Sequence, residues 1–288
     1  LDHRMERRSP VVAVGGGVTG DTAGFVAATY LRGVPFIQCP TTLLAMVDAS
    51  VGGKVGVNLP RGKNLVGAFH QPGLVAIDTD TLNTLPPREL RCGLAECVKH
   101  GVIRDAELFD WIEARTDDIL ALDPGAMVEL VRRNVAIKAA VVMEDEKESG
   151  VRAHLNFGHT FAHAIEAGQK YGEERHESTE ARRHEGGEAY HHGEAVALGM
   201  VAAARLAVDA GRCESRVLDR LVALLDRIGL PTRAANLPPT DELLDSMRLD
   251  KKVADGAIRL ILPDRLGAVS IVRDATDTQI ADAWSSIR

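Results

Sequence analysis

Short apolar runs alternate with helical stretches at the start of the chain. Residues 11–14 (Val-Val-Ala-Val) and residues 34–38 are apolar runs of strand length, the second closed by Pro40. Between them, residues 21–31 are rich in small apolar side chains and read as a helix; residues 74–77 read as a third strand. Strands separated by helical pattern predict a parallel sheet in an α/β layer. Residues 48–72 break the pattern. They are rich in glycine, lysine and asparagine with weak periodicity, which predicts a functional loop. After Pro86-Pro87 the character changes. Residues 88–115, 124–147, 156–170, 193–210, 213–228 and 240–252 read as helices, with Gly211 and Gly229 as C-terminal stops. A strand pair at residues 258–262 and 268–272 is expected to end the fold. The simplest division is an α/β domain over residues 1–87 and a mostly helical domain over residues 88–288.

Composition narrows the class of protein. The 288 residues are 45% hydrophobic and 26% charged, enough ordinary globular chain for one large or two smaller domains. A net charge of −7 and a pI near 5.8 give no general attraction to nucleic acid. No apolar run reaches the roughly 18 residues that span a bilayer, and no basic segment followed by an apolar one marks a signal peptide. The four cysteines, Cys39, Cys92, Cys97 and Cys213, form no C-x-x-C pair and are expected to be reduced thiols of a cytoplasmic protein. The chain opens without methionine, in a charged stretch leading straight into a strand, as expected of a fragment.

Three groups of residues carry candidate chemistry. Gly15-x-Gly17-x-x-Gly20 follows a strand and precedes a helix, where glycines allow close backbone approach to a diphosphate. The acid usual about 20 residues later is replaced by Cys39-Pro40-Thr41-Thr42, so the pattern is compatible with a plain tight turn. Second, His159 and His163 stand at i and i+4 and share a helix face, a spacing that suits two metal ligands or one ligand and one acid/base group. His192 opens a later helix, and Glu96 is an acid in an apolar helical stretch, where burial calls for a cationic partner. Third, Lys54 and Lys63 lie on glycine-flanked segments, and Lys99, Lys138, Arg152 and the pair Lys251-Lys252 stand near the other motifs. A net-acidic chain that gathers cations in this way is expected to bind an anionic small molecule.

These pieces, taken in order, resemble the sugar-phosphate cyclases, and the 3-dehydroquinate synthase family most closely. The matching segments are residues 15–32, 40–72, 93–101, 152–166, 192–200 and 250–252, spread over nearly the whole chain. The resemblance implies a Rossmann-like N-terminal α/β domain, incomplete here because family members carry a further N-terminal segment, followed by a mostly α-helical C-terminal domain. It implies a metal, Zn2+ with Co2+ as the alternative ion, held by Glu96, His159 and His192. It implies NAD+ along Gly17, Val18, Thr19, Gly20 and Asp21, then Thr41, Thr42, Lys54, Lys63 and the turn Thr81, Leu82, Asn83, Thr84. A sugar-phosphate substrate would meet Asp48, Lys54, Asn64, Lys99, Lys138, Arg152, Asn156, His163, Lys251 and Lys252. Arg32 matches a position that reaches a neighbouring subunit's site, which implies a homodimer. The implied reaction turns 3-deoxy-D-arabino-heptulosonate 7-phosphate into 3-dehydroquinate and phosphate in a cytoplasmic enzyme that engages neither nucleic acid nor membrane.

Two features depart from the family pattern. Thirty-three positions separate His159 from His192, about twice the usual interval. The excess, residues 169–191, is polar, includes His176, His184 and His191, and is expected to be an exposed insertion. Ala162 stands where glycine is common. The competing readings are an aminodehydroquinate synthase or another sugar-phosphate cyclase, an NAD-dependent metal polyol or glycerol-phosphate dehydrogenase, and an inactive NAD-binding or structural module.

Overall fold

A computed structural model describes residues 5–59, 62–146, 150–176, 189–249 and 258–288, with backbone alone at residues 62–64 and 170–176. The chain packs as two compact units, one of Leu1–Cys97 with Asp117–Glu146 and the other of Val98–Thr116 with Lys147–Arg288. No helix among the described residues is long and apolar enough to cross a membrane.

In the first unit, strand β1 (Val11–Gly15) leads into helix α1 (Gly17–Thr29), which begins four residues before the expected start. The glycine pattern is therefore a two-residue turn plus the first turn of a helix. Strand β2 (Phe36–Pro40) pairs parallel to β1, with Val11 opposite Phe36 and Gly15 opposite Pro40. Residues 48–72, expected as a loop, instead hold an antiparallel hairpin of β3 (Lys54–Leu59) and β4 (Gly62–Phe69). Its glycines are packing residues, not breakers: Gly56 and Gly67 face each other across the ladder, where side chains would collide with backbone. A short β5 (Leu74–Val75) completes the parallel order β1-β2-β5. The core gathers Ala13, Ala27, Val34, Phe36 and Val55, while Val12 and Val14 turn outward. Gly24 lets α1 lie close on this core, since a Cβ there would come within 2.4 Å of Val55 Cγ1. After α1 the chain turns through Leu31 (φ 48°) and Arg32 (φ 65°), both in the left-handed region, with Arg32 exposed.

The single helix expected over residues 88–115 is two, α2 (Pro87–Arg104) and α3 (Ala106–Leu120). Asp105 separates them because its carboxylate accepts from Leu108 N at 2.9 Å and so caps the second helix. Helix α4 (Pro124–Glu144) has Pro124 in its first turn, and the Asp123 carboxylate accepts from Ala126 N at 2.8 Å.

In the second unit, a 3-10 turn over Val151–Asn156 precedes α5 (His159–His176), which runs past the expected stop at residue 170 into the supposed insertion. Residues 177–188 of that stretch lie outside the described residues. Helix α6 (His192–Asp209) is buried on every face from Ala195 to Ala204, so it is the central element of this unit. It packs against α5, α7 (Ser215–Ile228), α9 (Asp277–Ser286) and strand β6 (Leu260–Arg265). Helix α7 buries Val217, Leu221, Leu224 and Ile228, an amphipathic stripe, and ends at Gly229 with φ 83°. Helix α8 (Thr240–Leu249) and the antiparallel pair of β6 with β7 (Ala268–Val272) follow. The fold does not end at this pair: α9 follows, capped by Thr276 and Gln279 and anchored by Ile280, Ala283 and Trp284. Trp284 meets Phe161 of α5 edge-on at 4.9 Å.

Helices α5 and α6 meet at two glycines. A Cβ on Gly199 would lie 2.1 Å from Gly158 O, and one on Gly158 would lie 2.9 Å from Met200 N. Backbone cannot yield as a flexible side chain can, so Gly199→Ala is expected to cost about 1–3 kcal/mol through overpacking. Urea denaturation of the variant beside the wild type checks this, and an unshifted midpoint would show that the helices have slack.

Candidate metal centre and cofactor turn

In the first unit, the Gly15-Gly16 turn joins β1 to α1. Gly16 is the N-cap of α1 and supplies no side chain to the helix, so among the described residues the first-turn N–H groups at Gly17, Val18 and Thr19 receive no N-cap side-chain bond. Thr41 N donates to Gly15 O at 2.9 Å, which ties the end of β2 to this turn. Thr42 Oγ1 accepts from Ala45 N at 3.2 Å at the start of the π-helical turn Ala45–Ala49, which carries Asp48. Small residues, uncapped N–H groups and nearby threonine hydroxyls form a cradle that fits a diphosphate.

Asp48 is paired. Lys138 Nζ of α4 lies 2.6 Å from Asp48 Oδ1 and also donates to Asp48 O. Lys138 is buried, as expected of a lysine committed to a fixed partner. Asp21, one turn into α1, feels both groups. Burial pushes its carboxyl from 3.8 up to about 6; the Lys138 ammonium pulls it back, and the Asp48 carboxylate adds a further push upward. Lys54 is exposed at the start of β3. The turn Thr79–Thr84 directs Thr81 Oγ1 to Asp78 O at 2.7 Å and Thr84 Oγ1 to Thr81 O at 3.1 Å, while Leu82 is buried and Asn83 exposed.

His159 and His192 are the first residues of α5 and α6, and the glycine contact between those helices brings their rings to 5.5 Å between centroids. His163, one turn along α5, stands edge-on to His159 at 5.8 Å. With Glu96 of α2, the ligand atoms of His159 and His192 lie within 4.8 Å of one another. One carboxylate and two imidazoles are the donor set of a catalytic zinc site. A metal-bound histidine is held by a partner on its other nitrogen, and both rings have one. His159 Nδ1 contacts Phe157 O at 3.2 Å, and His192 Nδ1 contacts Glu166 Oε1 at 3.0 Å. The residues therefore fit the ion. His191 stands outside the set, its backbone N–H donating to Glu194 Oε2 at 2.8 Å at the start of α6.

Lys99 and Arg152 are buried, and Asn156 is half-buried in the 3-10 turn before α5. The side chains of Lys63 and Asn64, and the whole of Lys251 and Lys252, lie outside the described residues. Glu166 was not among the residues expected at the site. Its signal was in the sequence: it stands at i+7 from His159, on the face already marked by His163 at i+4.

Two family models match consecutive parts of the chain, the N-terminal part of 3-dehydroquinate synthase over residues 1–92 and its C-terminal part over residues 93–253. A 3-dehydroquinate synthase of Nitrosomonas europaea is 53% identical over 270 residues, which cover 94% of this chain and 69% of the relative. Among solved structures, the 2-epi-5-epi-valiolone synthase of Streptomyces hygroscopicus subsp. jinggangensis 5008, with NAD+ and Zn2+ bound, superposes with a TM-score of 0.86 at 31% identity, covering 99% of this chain and 75% of its own. A 2-deoxy-scyllo-inosose synthase complexed with carbaglucose-6-phosphate, NAD+ and Co2+ gives 0.82 at 29% identity, covering 100% of this chain and 76% of its own.

The raised Asp21 carboxyl has a consequence for stability. The folded state holds this proton more tightly than the unfolded chain, so the contribution of Asp21 is full below about pH 4 and is lost as pH rises through about 6. Asp21→Asn removes the ionisation. The variant is expected to melt above the wild type at pH 8, with the gap closing as pH falls towards 4.5. Parallel melting curves across that range check it, and a gap that does not vary with pH would show that Asp21 titrates as an ordinary carboxyl.

Proposed function

The chain belongs to the 3-dehydroquinate synthase family, and from that premise we propose how its side chains serve the reaction. It is an NAD-using cyclase that converts 3-deoxy-D-arabino-heptulosonate 7-phosphate into 3-dehydroquinate and phosphate, a carbon–oxygen lyase of the shikimate pathway and aromatic amino acid biosynthesis. The observation that carries the reading is the match of both family models, end to end, over residues 1–253.

When bound, NAD+ would supply reversible hydride acceptance and Zn2+ or Co2+ would supply Lewis-acid polarisation of a substrate hydroxyl, so no net NADH would accumulate. Glu96, His159 and His192 hold the metal. The N–H groups of Gly17, Val18 and Thr19 take the cofactor diphosphate, with Gly20 and Asp21 completing the turn along which the cofactor lies. Thr41, Thr42, Lys54, Lys63 and the turn Thr81, Leu82, Asn83, Thr84 line the rest of the cofactor. Lys54, Asn64 and His163 hold the phosphate that leaves. Arg152 and Lys138 hold the carboxylate, and Lys138 shares its charge between that group and Asp48, its partner at 2.6 Å. Lys99, Asn156, Lys251 and Lys252 complete the polar contacts. Arg32, exposed on its left-handed turn, reaches the site of a second subunit in a homodimer. The enzyme works in the cytoplasm and takes neither nucleic acid nor membrane as a partner.

The direct test supplies the heptulosonate phosphate with Zn2+ and NAD+ below the substrate concentration. Phosphate and 3-dehydroquinate are expected in equal amounts, with turnover exceeding the NAD+ added. NADH accumulating in step with product would identify a dehydrogenase instead. Arg152→Lys keeps the charge and loses the planar fork. Loss of a hydrogen bond to a charged group costs about 1.5–3 kcal/mol, so kcat/KM should fall about 10- to 100-fold, with little change in melting temperature. An unchanged kcat/KM would remove Arg152 from carboxylate recognition.

A further inference from the structure

We infer that Glu166 is a positioning residue for the metal centre: it fixes the tautomer and ring orientation of His192 so that Nε2 is the coordinating atom. The inference rests on the reading of Glu96, His159 and His192 as metal ligands. Three observations carry it.

The first is the contact itself. Glu166 Oε1 lies 3.0 Å from His192 Nδ1, with the Glu166 side chain 15% exposed and that of His192 36% exposed. An ionised carboxylate only accepts, so this bond requires the proton on Nδ1 and turns the Nε2 lone pair to the ion. The second is the geometry of α5. His159, His163 and Glu166 stand at i, i+4 and i+7, so one helix face presents a metal ligand and, two turns on, the carboxylate that holds the other ligand histidine. One helix thus supplies a metal ligand and orients the ring of the other. The third is the contrast between the rings. His159 Nδ1 is held by a backbone carbonyl, Phe157 O, at 3.2 Å, which no side-chain substitution at position 157 removes. His192 is held by a side chain. It is also the first residue of α6, with no preceding helical turn to restrict its ring. Without Glu166, the ring gains rotational freedom and populates the Nε2–H tautomer, which cannot bind metal through Nε2.

Partners of this kind typically contribute 10- to 100-fold in metal affinity. The test measures Zn2+ affinity of the purified protein by competition with a chromophoric chelator, and records the visible spectrum of the Co2+-loaded form. Glu166→Ala is expected to bind Zn2+ about 10- to 100-fold more weakly and to shift the Co2+ bands. Glu166→Gln keeps an acceptor oxygen and should recover affinity to within a few-fold of the wild type. In a His192→Ala background, Glu166→Ala should add no further loss, because its effect runs through that ring. Far-UV circular dichroism confirms that each variant is folded. Wild-type affinity and spectrum in Glu166→Ala would overturn the inference, as would an equal loss in the His192→Ala background. A His192→Ala protein that binds Zn2+ as tightly as the wild type would instead sink the ligand set, and this inference with it.

Discussion

The close approach of α5 to α6 is the constraint on which the rest of the site depends. Both ligand histidines open their helices, and the crossing point lies at Gly158, directly before His159, and Gly199, two turns beyond His192. Backbone meets backbone there, so the separation of the two helices is fixed by main-chain volume and not by side-chain rotamers. The 5.5 Å between the imidazoles follows from that separation. So does the reach of Glu166 across to His192. The apolar body of α6 makes the arrangement stiff: a helix buried on all faces has no solvent side towards which to relax.

The first unit solves a different problem with similar means. Its cofactor turn needs backbone N–H groups uncovered, and Gly16 leaves them so. Three of its charged groups, Asp21, Asp48 and Lys138, are mutually dependent. Lys138 holds Asp48 and restrains Asp21, so two carboxylates lean on one ammonium, and burial makes one of them hold its proton well above the ordinary carboxyl range. Such a trio has one net charge with Asp21 ionised and another with it protonated, a property of the group and not of any one member.

Much of this was legible in the sequence, for reasons that can be named. Strands β1 and β2 announce themselves as apolar runs, and α7 as a stripe at helical spacing, because in each case burial is a local pattern. Glu96, His159, His163 and His192 were legible from the residues as a metal constellation, while the choice of Glu96, His159 and His192 as the ligands came from the resemblance, since spacing along the chain does not encode approach in space. The hairpin β3–β4 was hidden because glycine and asparagine suppress the strand signal, while the reason for the glycines, close ladder contact at Gly56 and Gly67, exists only once the strands have paired. Helix α9 was missed despite a visible signal: Thr276 and Gln279 form a capping box ahead of Ile280, Ala283 and Trp284. The break at Asp105 was equally readable as a cap, but the apolar run on either side obscured it.

His159 and His192 are each the first residue of a helix. The aligned peptide dipoles of a helix place roughly half a positive charge at its start, so two such ends face the point where the ligand atoms gather. This is an electropositive place in which to hold a cation, and neutral imidazoles alone would do it poorly. The carboxylates of Glu96 and Glu166 are the counterweight. Once an ion is balanced by them, the field of the two helix ends remains, and it favours negative charge on any oxygen that enters. Anion preference is then built into the secondary structure itself, ahead of any lysine or arginine.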